Sequence, residues 1–137
     1  KLHARTEKQA KMAETRHPRI ISTNDYWFGL VIDLDSKVTT LRVDLPTGLD
    51  VQIGAVRLRI GSTIQDISLD TIELNSMDRV DGFLRTAYNV DPYLSFSVSN
   101  FLDSGELRHN LVVELDAELV TEVGKIRLAD FFASNEN

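Results

Sequence analysis

Charged residues that alternate with apolar ones along two stretches are the best candidates for specific contacts. Three arginines take the polar positions of one predicted hairpin: Arg42, Arg57 and Arg59. Three acids take those of a later strand: Glu114, Asp116 and Glu118. If the two stretches are neighbours, their side chains form cross-strand ion pairs, each contributing about 0.2–1 kcal/mol. If they lie on opposite outer faces, the domain has a basic and an acidic face, and copies of it could stack head to tail.

The histidines do not predict a metal site. They are His3, His17 and His109. No two of them have the spacing of zinc ligands, and the chain contains no cysteine that could complete a ligand set. His109 shares its phase with Leu107 and Leu111, so we expect it to be a packed residue on the core side of a strand.

Acidic residues near predicted strand ends are the remaining candidates for metal or catalytic chemistry. They are Asp33, Asp35, Asp66 and Asp70. Loops of a sandwich can gather carboxylates around calcium, but residues 33–37 lack the glycine of a calcium loop and contain Lys37. The sequence contains neither a Gly-x-Ser-x-Gly motif nor a glycine-rich phosphate loop. We therefore predict no metal, no cofactor and no enzymatic activity.

Two short fragments resemble motifs of PilZ domains, which are β-barrels that bind cyclic dinucleotides. Arg16-His17-Pro18-Arg19 resembles the Arg-x-x-x-Arg arm of that family, with one residue fewer between the arginines. Asp66-Ile67-Ser68 resembles its Asp/Asn-x-Ser-x-x-Gly strand, with Thr71 in the place of the glycine. The resemblance would imply a dinucleotide held by the arginines of the arm. Both fragments depart from the family pattern, so no site residue is carried over.

Charge is distributed unevenly along the 137 residues. The first 20 residues carry six basic and two acidic side chains, a net charge of +4, so the rest carries −10 and the total is −6. An acidic body does not suit nucleic acid, because binding depends on neutralising phosphates. The basic arm can meet an acidic surface, which could be lipid, nucleic acid or the body of a neighbouring subunit.

Residues 1–19 are predicted to be a basic arm, either helical or without fixed structure. Helix-forming residues dominate it, but its few apolar residues are small and Pro18 ends the pattern. Because the chain begins at Lys1 rather than methionine, we expect an upstream segment. A membrane anchor there would place the domain at a surface or in the periplasm, whereas a bare initiator methionine would favour a cytoplasmic or virion protein.

Leu111–Leu119 is the clearest strand of the sequence, because its apolar residues alternate with the three acids. The apolar residues are Leu111, Val113, Leu115, Ala117 and Leu119. About eight such short strands recur at spacings of roughly 8–12 residues. This pattern predicts an all-β fold over residues 20–132, an antiparallel β-sandwich of the immunoglobulin-like or jelly-roll-like kind, followed by a frayed tail at 133–137.

Changes of phase and turn residues predict the local structure. A phase change between Ile53 and Val56 predicts a β-bulge at Gly54–Ala55, in the return strand of a hairpin over residues 38–60. A second phase change, at 70–71, predicts either another bulge or two strands that meet at a bend. Residues 76–82 are predicted as a helical turn that runs into a strand. Residues 94–128 are predicted as a three-stranded meander with Leu111–Leu119 in the middle.

These observations predict a non-enzymatic structural or interaction domain whose partners are copies of itself or other subunits of an assembly. The domain could be a virion or tail component, or the soluble domain of a membrane-anchored secretion or appendage protein. The expected contact residues are Arg16, Arg19 and the six charged strand residues given first. The alternative is a ligand-binding β-module for carbohydrate or a cyclic dinucleotide. The aromatic residues that a sugar would use are Tyr26, Trp27, Tyr88 and Tyr93.

Overall fold

The chain folds into two antiparallel β-sheets that contribute to one apolar core. This computed structural model describes residues 3–8, 11–14, 19–22, 26–32, 40–86, 90–98 and 111–134. The arrangement confirms the predicted all-β, sandwich-like fold. Helical structure in the described ranges is limited to a 3-10 turn at Leu69–Thr71 and one α-helix, α1, at Leu128–Ser134.

The smaller sheet contains five strands. They are β1 His3–Lys8, β2 Lys11–Glu14, β5 Thr40–Asp44, β8 Glu73–Asn75 and β11 Tyr93–Ser97. Their order across the sheet is β2, β1, β5, β11, β8. Because few of these neighbours are consecutive in the chain, long-range pairing holds this sheet together.

The larger sheet contains eight strands. They are β3 Arg19–Ser22, β4 Phe28–Ile32, β6 Val51–Ile60, β7 Thr63–Ile67, β9 Met77–Val80, β10 Phe83–Thr86, β12 Leu111–Thr121 and β13 Gly124–Arg127. The order of six of them is β3, β4, β12, β6, β10, β9. In addition, β13 pairs with β12, and β7 pairs with β6.

Strand β12 lies at the centre of the larger sheet. It pairs with β4 through Leu111–Leu115 on one side and with β6 through Val112–Leu119 on the other. The five apolar residues predicted to point inward are all buried, and Leu115 is completely inaccessible to solvent. Alternation therefore identified the core face of this strand correctly.

The core is built from the inward residues of both sheets. Leu41 and Val43 of β5, together with Leu94 of β11, are fully buried and belong to the same cluster as the inward residues of β12. Helix α1 adds Leu128 and Ala129 to this cluster. Burial of each leucine or valine side chain contributes about 1.5–3 kcal/mol, so the inward faces supply most of the stabilisation.

Strand β6 contains the bulge that the phase change predicts at Gly54–Ala55. Asp116 of β12 pairs with Ala55 and the next residue, Ala117, pairs with Ile53, so Gly54 is the extra residue. The bulge allows residues on both sides of it to face the core. A Cβ atom on Gly54 would lie 3.2 Å from the Phe83 ring, so the missing side chain leaves room for that ring.

The prediction of a hairpin over residues 38–60 is wrong, because β5 and β6 belong to different sheets. Residues 45–50 connect the sheets: the N–H of Leu45 donates to the carbonyl of Pro92 at 2.9 Å, next to β11. At the other end of the connection, the N–H of Val120 in β12 donates to the carbonyl of Asp50 at 2.8 Å. Pro46 and Gly48 do turn the chain, but turn residues do not specify which sheet the next strand joins.

Residues 61–75 form two strands that meet at a bend, which is the second of the two alternatives that the phase change predicts. Strand β7 ends at Ile67, the 3-10 turn follows, and β8 begins at Glu73 in the other sheet. The Thr71 hydroxyl donates to the carbonyl of Ser68 at 2.7 Å and closes this turn. The phase change therefore marks a transfer of the chain between sheets.

The helical turn predicted for residues 76–82 is wrong, because this stretch is part of a β-hairpin. Strands β9 and β10 pair directly, with Val80 opposite Phe83. Between them, Asp81 and Gly82 have φ angles of 51° and 83°. Two positive φ angles are typical of a type I′ turn, for which Asp-Gly is a preferred sequence. The strand predicted to follow is present as β10.

The three-stranded meander is also wrong in part. Strands β12 and β13 form its second hairpin, but β11 belongs to the smaller sheet. The chain then continues into α1. The sequence did not predict this helix, because the alternation of Ile126 and Leu128 is typical of a strand. Leu128, Phe131 and Phe132 have the i, i+3, i+4 spacing of a helix face, and the Phe132 ring packs 5.2 Å from that of Phe28.

The described residues of the arm form strands, and neither the helix nor the segment without fixed structure that the sequence predicted. Strand β1 pairs with β5, placing His3 opposite Asp44 and Glu7 opposite Thr40, and β2 pairs with β1. The arm therefore extends the smaller sheet beyond β5. Helix propensity is a weak preference, and the backbone groups along the edge of β5 provide an alternative set of hydrogen bonds.

We expect Gly82→Val to destabilise the fold by about 1–2 kcal/mol, because a β-branched residue is strained at a positive φ angle. Asp81→Asn is the matched control, since asparagine tolerates the same conformation. Urea unfolding followed by circular dichroism measures both. Equal unfolding midpoints for the two variants would contradict the type I′ turn.

Candidate functional site

The most developed group of polar side chains lies on the outer face of the larger sheet. Glu114 of β12 is opposite Arg57 of β6, and the next outward residue of β6 is Arg59. The Arg57 Nε donates to one carboxylate oxygen of Glu114, and the Arg59 Nη2 donates to the other. The guanidinium carbon of Arg57 also lies 3.9 Å from the centroid of the Trp27 ring. We call these four residues the Glu114 cluster.

The cluster is buried although it faces away from the core. Glu114 has no solvent-accessible surface, and the Arg57 and Arg59 side chains are 14% and 27% exposed. On its other side, Glu114 is opposite Gly29 of β4, which contributes no side chain to this face. The two guanidinium groups cover the carboxylate, and the stacking of Arg57 on Trp27 adds about 0.5–2 kcal/mol.

This geometry is suited to holding strands together rather than to catalysis. Both oxygens of Glu114 accept charge-assisted hydrogen bonds, and the carboxylate has no access to solvent. A general base or metal ligand needs an oxygen that can reach a substrate proton or an ion. The cluster joins β12 and β6, the two central strands, and its two arginines and one glutamate give it a net charge of +1.

Arg42 lies on the smaller sheet, away from the other two arginines. Its Nε donates to Asp44 Oδ1 at 2.7 Å, and its guanidinium carbon lies 3.7 Å from the centroid of the Tyr93 ring. Strand β5, which carries Arg42, pairs with β11, which carries Tyr93. The three predicted arginine contacts are thus divided between two sheets.

The other expected contact residues do not join the Glu114 cluster. Asp116 is partly buried near the bulge, and its Oδ2 lies 3.8 Å from the position of a Cβ on Gly54. Glu118 is partly buried and opposite Arg127 of β13. In the arm, Arg19 pairs through its backbone with Val31 in β4, and Arg16 lies outside the described residues.

The histidine and aspartate candidates are not brought together in the described residues. His17, His109, Asp33 and Asp35 lie outside those residues, and the backbone of His3 is in β1. Asp66 and Asp70 are both exposed, in β7 and in the 3-10 turn. Within the described ranges no three His, Cys, Asp or Glu side chains are grouped so that they could hold a metal ion.

An open depression of about 600 Å³ lies beside the 3-10 turn and strands β8 and β9. Its lining includes three acids and one arginine: Asp70, Glu73, Asp78 and Arg79. The Arg79 Nη2 donates to the carbonyl of Leu69 at 3.3 Å and to that of Ile72. The guanidinium group therefore binds the backbone and closes the β8–β9 corner.

The aromatic residues considered for sugar binding are partly covered. An arginine lies over the ring of Trp27 and another over that of Tyr93, so one face of each ring is occupied. Tyr26 is 60% exposed and has a φ angle of 63°, with the Arg127 guanidinium carbon 5.6 Å from its ring centroid. Tyr88 lies outside the described residues.

Exposed apolar residues on the same outer face were missed by the sequence reasoning. They are Ile64, Val80 and Phe83, which are 49%, 40% and 38% exposed. Ile64 is opposite Arg59, Val80 is opposite Phe83, and Phe83 covers Gly54 at the bulge. The Asp81-Gly82 pair could have revealed the β9–β10 hairpin, and with it the face to which Val80 and Phe83 belong.

No protein-family model matches the chain, and neither a curated protein nor a solved structure matches it significantly. None of the helices in the described ranges has the length and apolar character that a bilayer crossing requires.

We expect Glu114→Gln to lower the free energy of unfolding by about 3 kcal/mol, because two partly buried guanidinium groups lose the negative charge of Glu114. Glu118→Gln, on the same strand and face, is the control and should change stability by less than about 1 kcal/mol. Urea unfolding of the two variants gives the comparison. If both changes cost the same, the Glu114 cluster is not what couples β12 to β6.

Proposed function

We propose that the chain is a non-enzymatic β-sandwich interaction domain that acts as a subunit of a larger protein assembly. The observation that supports this most directly is the exposure of Ile64, Val80 and Phe83 on the outer face of the larger sheet. Apolar side chains exposed on one face, beside charged ones, are typical of surfaces that contact other proteins.

The charges around this face support the same proposal. Arg57 and Arg59 hold Glu114 within the sheet, so these groups position β6 and β12 instead of meeting a substrate. Arginine beside exposed apolar groups is also enriched at protein contacts. The basic arm extends the other sheet, and we propose that it offers a second, different surface to a neighbouring subunit.

A virion or tail component, or the soluble domain of a membrane-anchored secretion or appendage protein, would use a domain of this kind. Both need a rigid body whose surfaces repeat the same contacts between copies. The two-sheet body supplies rigidity through one shared core. Our proposal therefore concerns contacts between copies of this chain, or between it and other subunits, rather than turnover of a small molecule.

We expect Val80→Lys to weaken self-association of the chain about tenfold, because a charge would have to be desolvated at the contact face. Val123→Lys is the matched control, since Val123 is 95% exposed at the tip of the β12–β13 hairpin. Sedimentation velocity should extend to about 1 mM protein, because small interfaces associate weakly. Thermal unfolding confirms that both variants are folded.

Two results would count against the proposed function. One is a wild-type chain that stays monomeric over the whole concentration range. The other is an equal effect of Val80→Lys and Val123→Lys, which would mean that the outer face has no special part in assembly.

A further inference from the structure

A row of five polar side chains crosses the outer face of the larger sheet at Gln52. Residues directly opposite each other in an antiparallel sheet share a face, and Gln52 of β6 is opposite Arg85 on one side and Glu118 on the other. Arg85 is in turn opposite Asp78, and Glu118 is opposite Arg127. From β9 to β13 the charges along the row are therefore negative, positive, neutral, negative and positive.

This order of charges is complementary to itself. If the row is turned by 180° about a line along β6, each acidic position falls on a basic one and Gln52 falls on itself. A second copy related by such a two-fold axis would therefore place its Glu118 against Arg85 and its Arg127 against Asp78. Because the axis relates two identical chains, each of these contacts is made twice.

The charged groups of the row are accessible to a second copy. Asp78 and Arg127 are exposed, Glu118 is partly buried, and none of the three makes an ion pair among the described residues. Arg85 donates through Nη2 to the Oδ2 atom of Asp50 at 2.8 Å, and its side chain is 37% exposed. Nη2 is the atom that Asp50 uses, so the other donors of this guanidinium group can bind a second carboxylate.

Apolar side chains in the neighbouring rows fit the same axis. The Phe83 ring lies over Gly54 of β6, 3.2 Å from the position of a Cβ atom there, so the rings of two copies would meet on the axis. Nearer the other end of β6, Arg59 is opposite Ile64 in β7 and opposite Val112 in β12. The same rotation therefore places the exposed Ile64 side chain against Val112 of the second copy.

We infer that the outer face of the larger sheet is a docking surface for a second copy of this chain, packed face to face about a two-fold axis that runs along β6 at Gln52. The inference rests on the proposed function as an assembly subunit, and it names the partner and the arrangement. Packed sheets lie about 10 Å apart, a gap that an arginine of one copy and an acid of the other can bridge. Gln52 itself is buried, so the residues on both sides of it make the contacts.

Charge reversal at the two ends of the row tests this arrangement. Asp78→Lys would place an ammonium group against Arg127 of the second copy at two symmetric positions, and should weaken self-association at least about tenfold. Arg127→Glu should have a similar effect, because it places a carboxylate against Asp78 of the second copy. Asp70→Lys is the matched control, since it makes the same charge change at an exposed residue outside the row and should leave association unchanged.

The double variant Asp78→Lys/Arg127→Glu exchanges the two charges. Within one chain the two positions lie four strands apart, about 19 Å, so the introduced groups do not meet. Across the axis they face each other, and the dissociation constant should return to within about threefold of the wild-type value. Asp70→Lys/Arg127→Glu has the same net charge and should remain as weak as Arg127→Glu alone. Sedimentation velocity gives the comparison, and thermal unfolding confirms that each variant is folded.

The outcomes separate this inference from the proposed function. Association that is restored in Asp78→Lys/Arg127→Glu, and not in its control, supports the two-fold axis. If the wild-type chain self-associates and Val80→Lys weakens it, while the single reversals have no effect or the double variant stays weak, the axis is overturned and the assembly role stands. A wild-type chain that stays monomeric up to about 1 mM overturns the proposed function itself, whatever the variants show.

Discussion

The burial of the Glu114 carboxylate is the constraint on which the larger sheet depends. A buried carboxylate costs several kcal/mol unless charged donors meet it, and here both of its oxygens are met by arginines of one neighbouring strand. The two arginines can reach the Glu114 carboxylate only if β6 lies beside β12 in the observed register. A shift by one residue would turn Arg57 and Arg59 toward the core and Leu58 toward solvent. The ion pairs therefore specify the pairing of the two central strands.

The bulge at Gly54 makes this pairing compatible with the hydrophobic core. Before the bulge, Val51 and Ile53 face inward, and after it Val56 and Leu58 do so, while the arginines face outward. Without the extra residue, one half of β6 would present its apolar residues to solvent. Glycine also leaves space for the Phe83 ring, which joins the β9–β10 hairpin to this face. One residue thus reconciles core packing with the Glu114 cluster.

Local features of the fold could be predicted from the sequence, and long-range ones could not. The inward face of β12 and the bulge follow from alternation within a few residues, and pairing of Arg57 and Arg59 with Glu114 was one of two open alternatives. Whether β5 pairs with β6 or with β11 depends on contacts between strands that are far apart in the chain. The alternation of residues within one strand carries no information about such contacts. The Asp81-Gly82 turn and the apolar face of α1 were also recognisable in the sequence. They were missed because the same residues fit other patterns, a helical turn at 76–82 and a strand at Ile126 and Leu128. The strands of the arm form because β5 offers an edge, and helix propensity gives no sign of that edge.

The distribution of charged and apolar side chains over the larger sheet bears on function. The arginines and acid most suited to recognition are used inside the sheet, where they set strand register and cover one another. Among the described residues, the outer face is left with the exposed apolar side chains of Ile64, Val80 and Phe83. Because Glu114 and its two arginines fix the register from within the sheet, the surface that remains for other molecules is set by the exposed side chains around them.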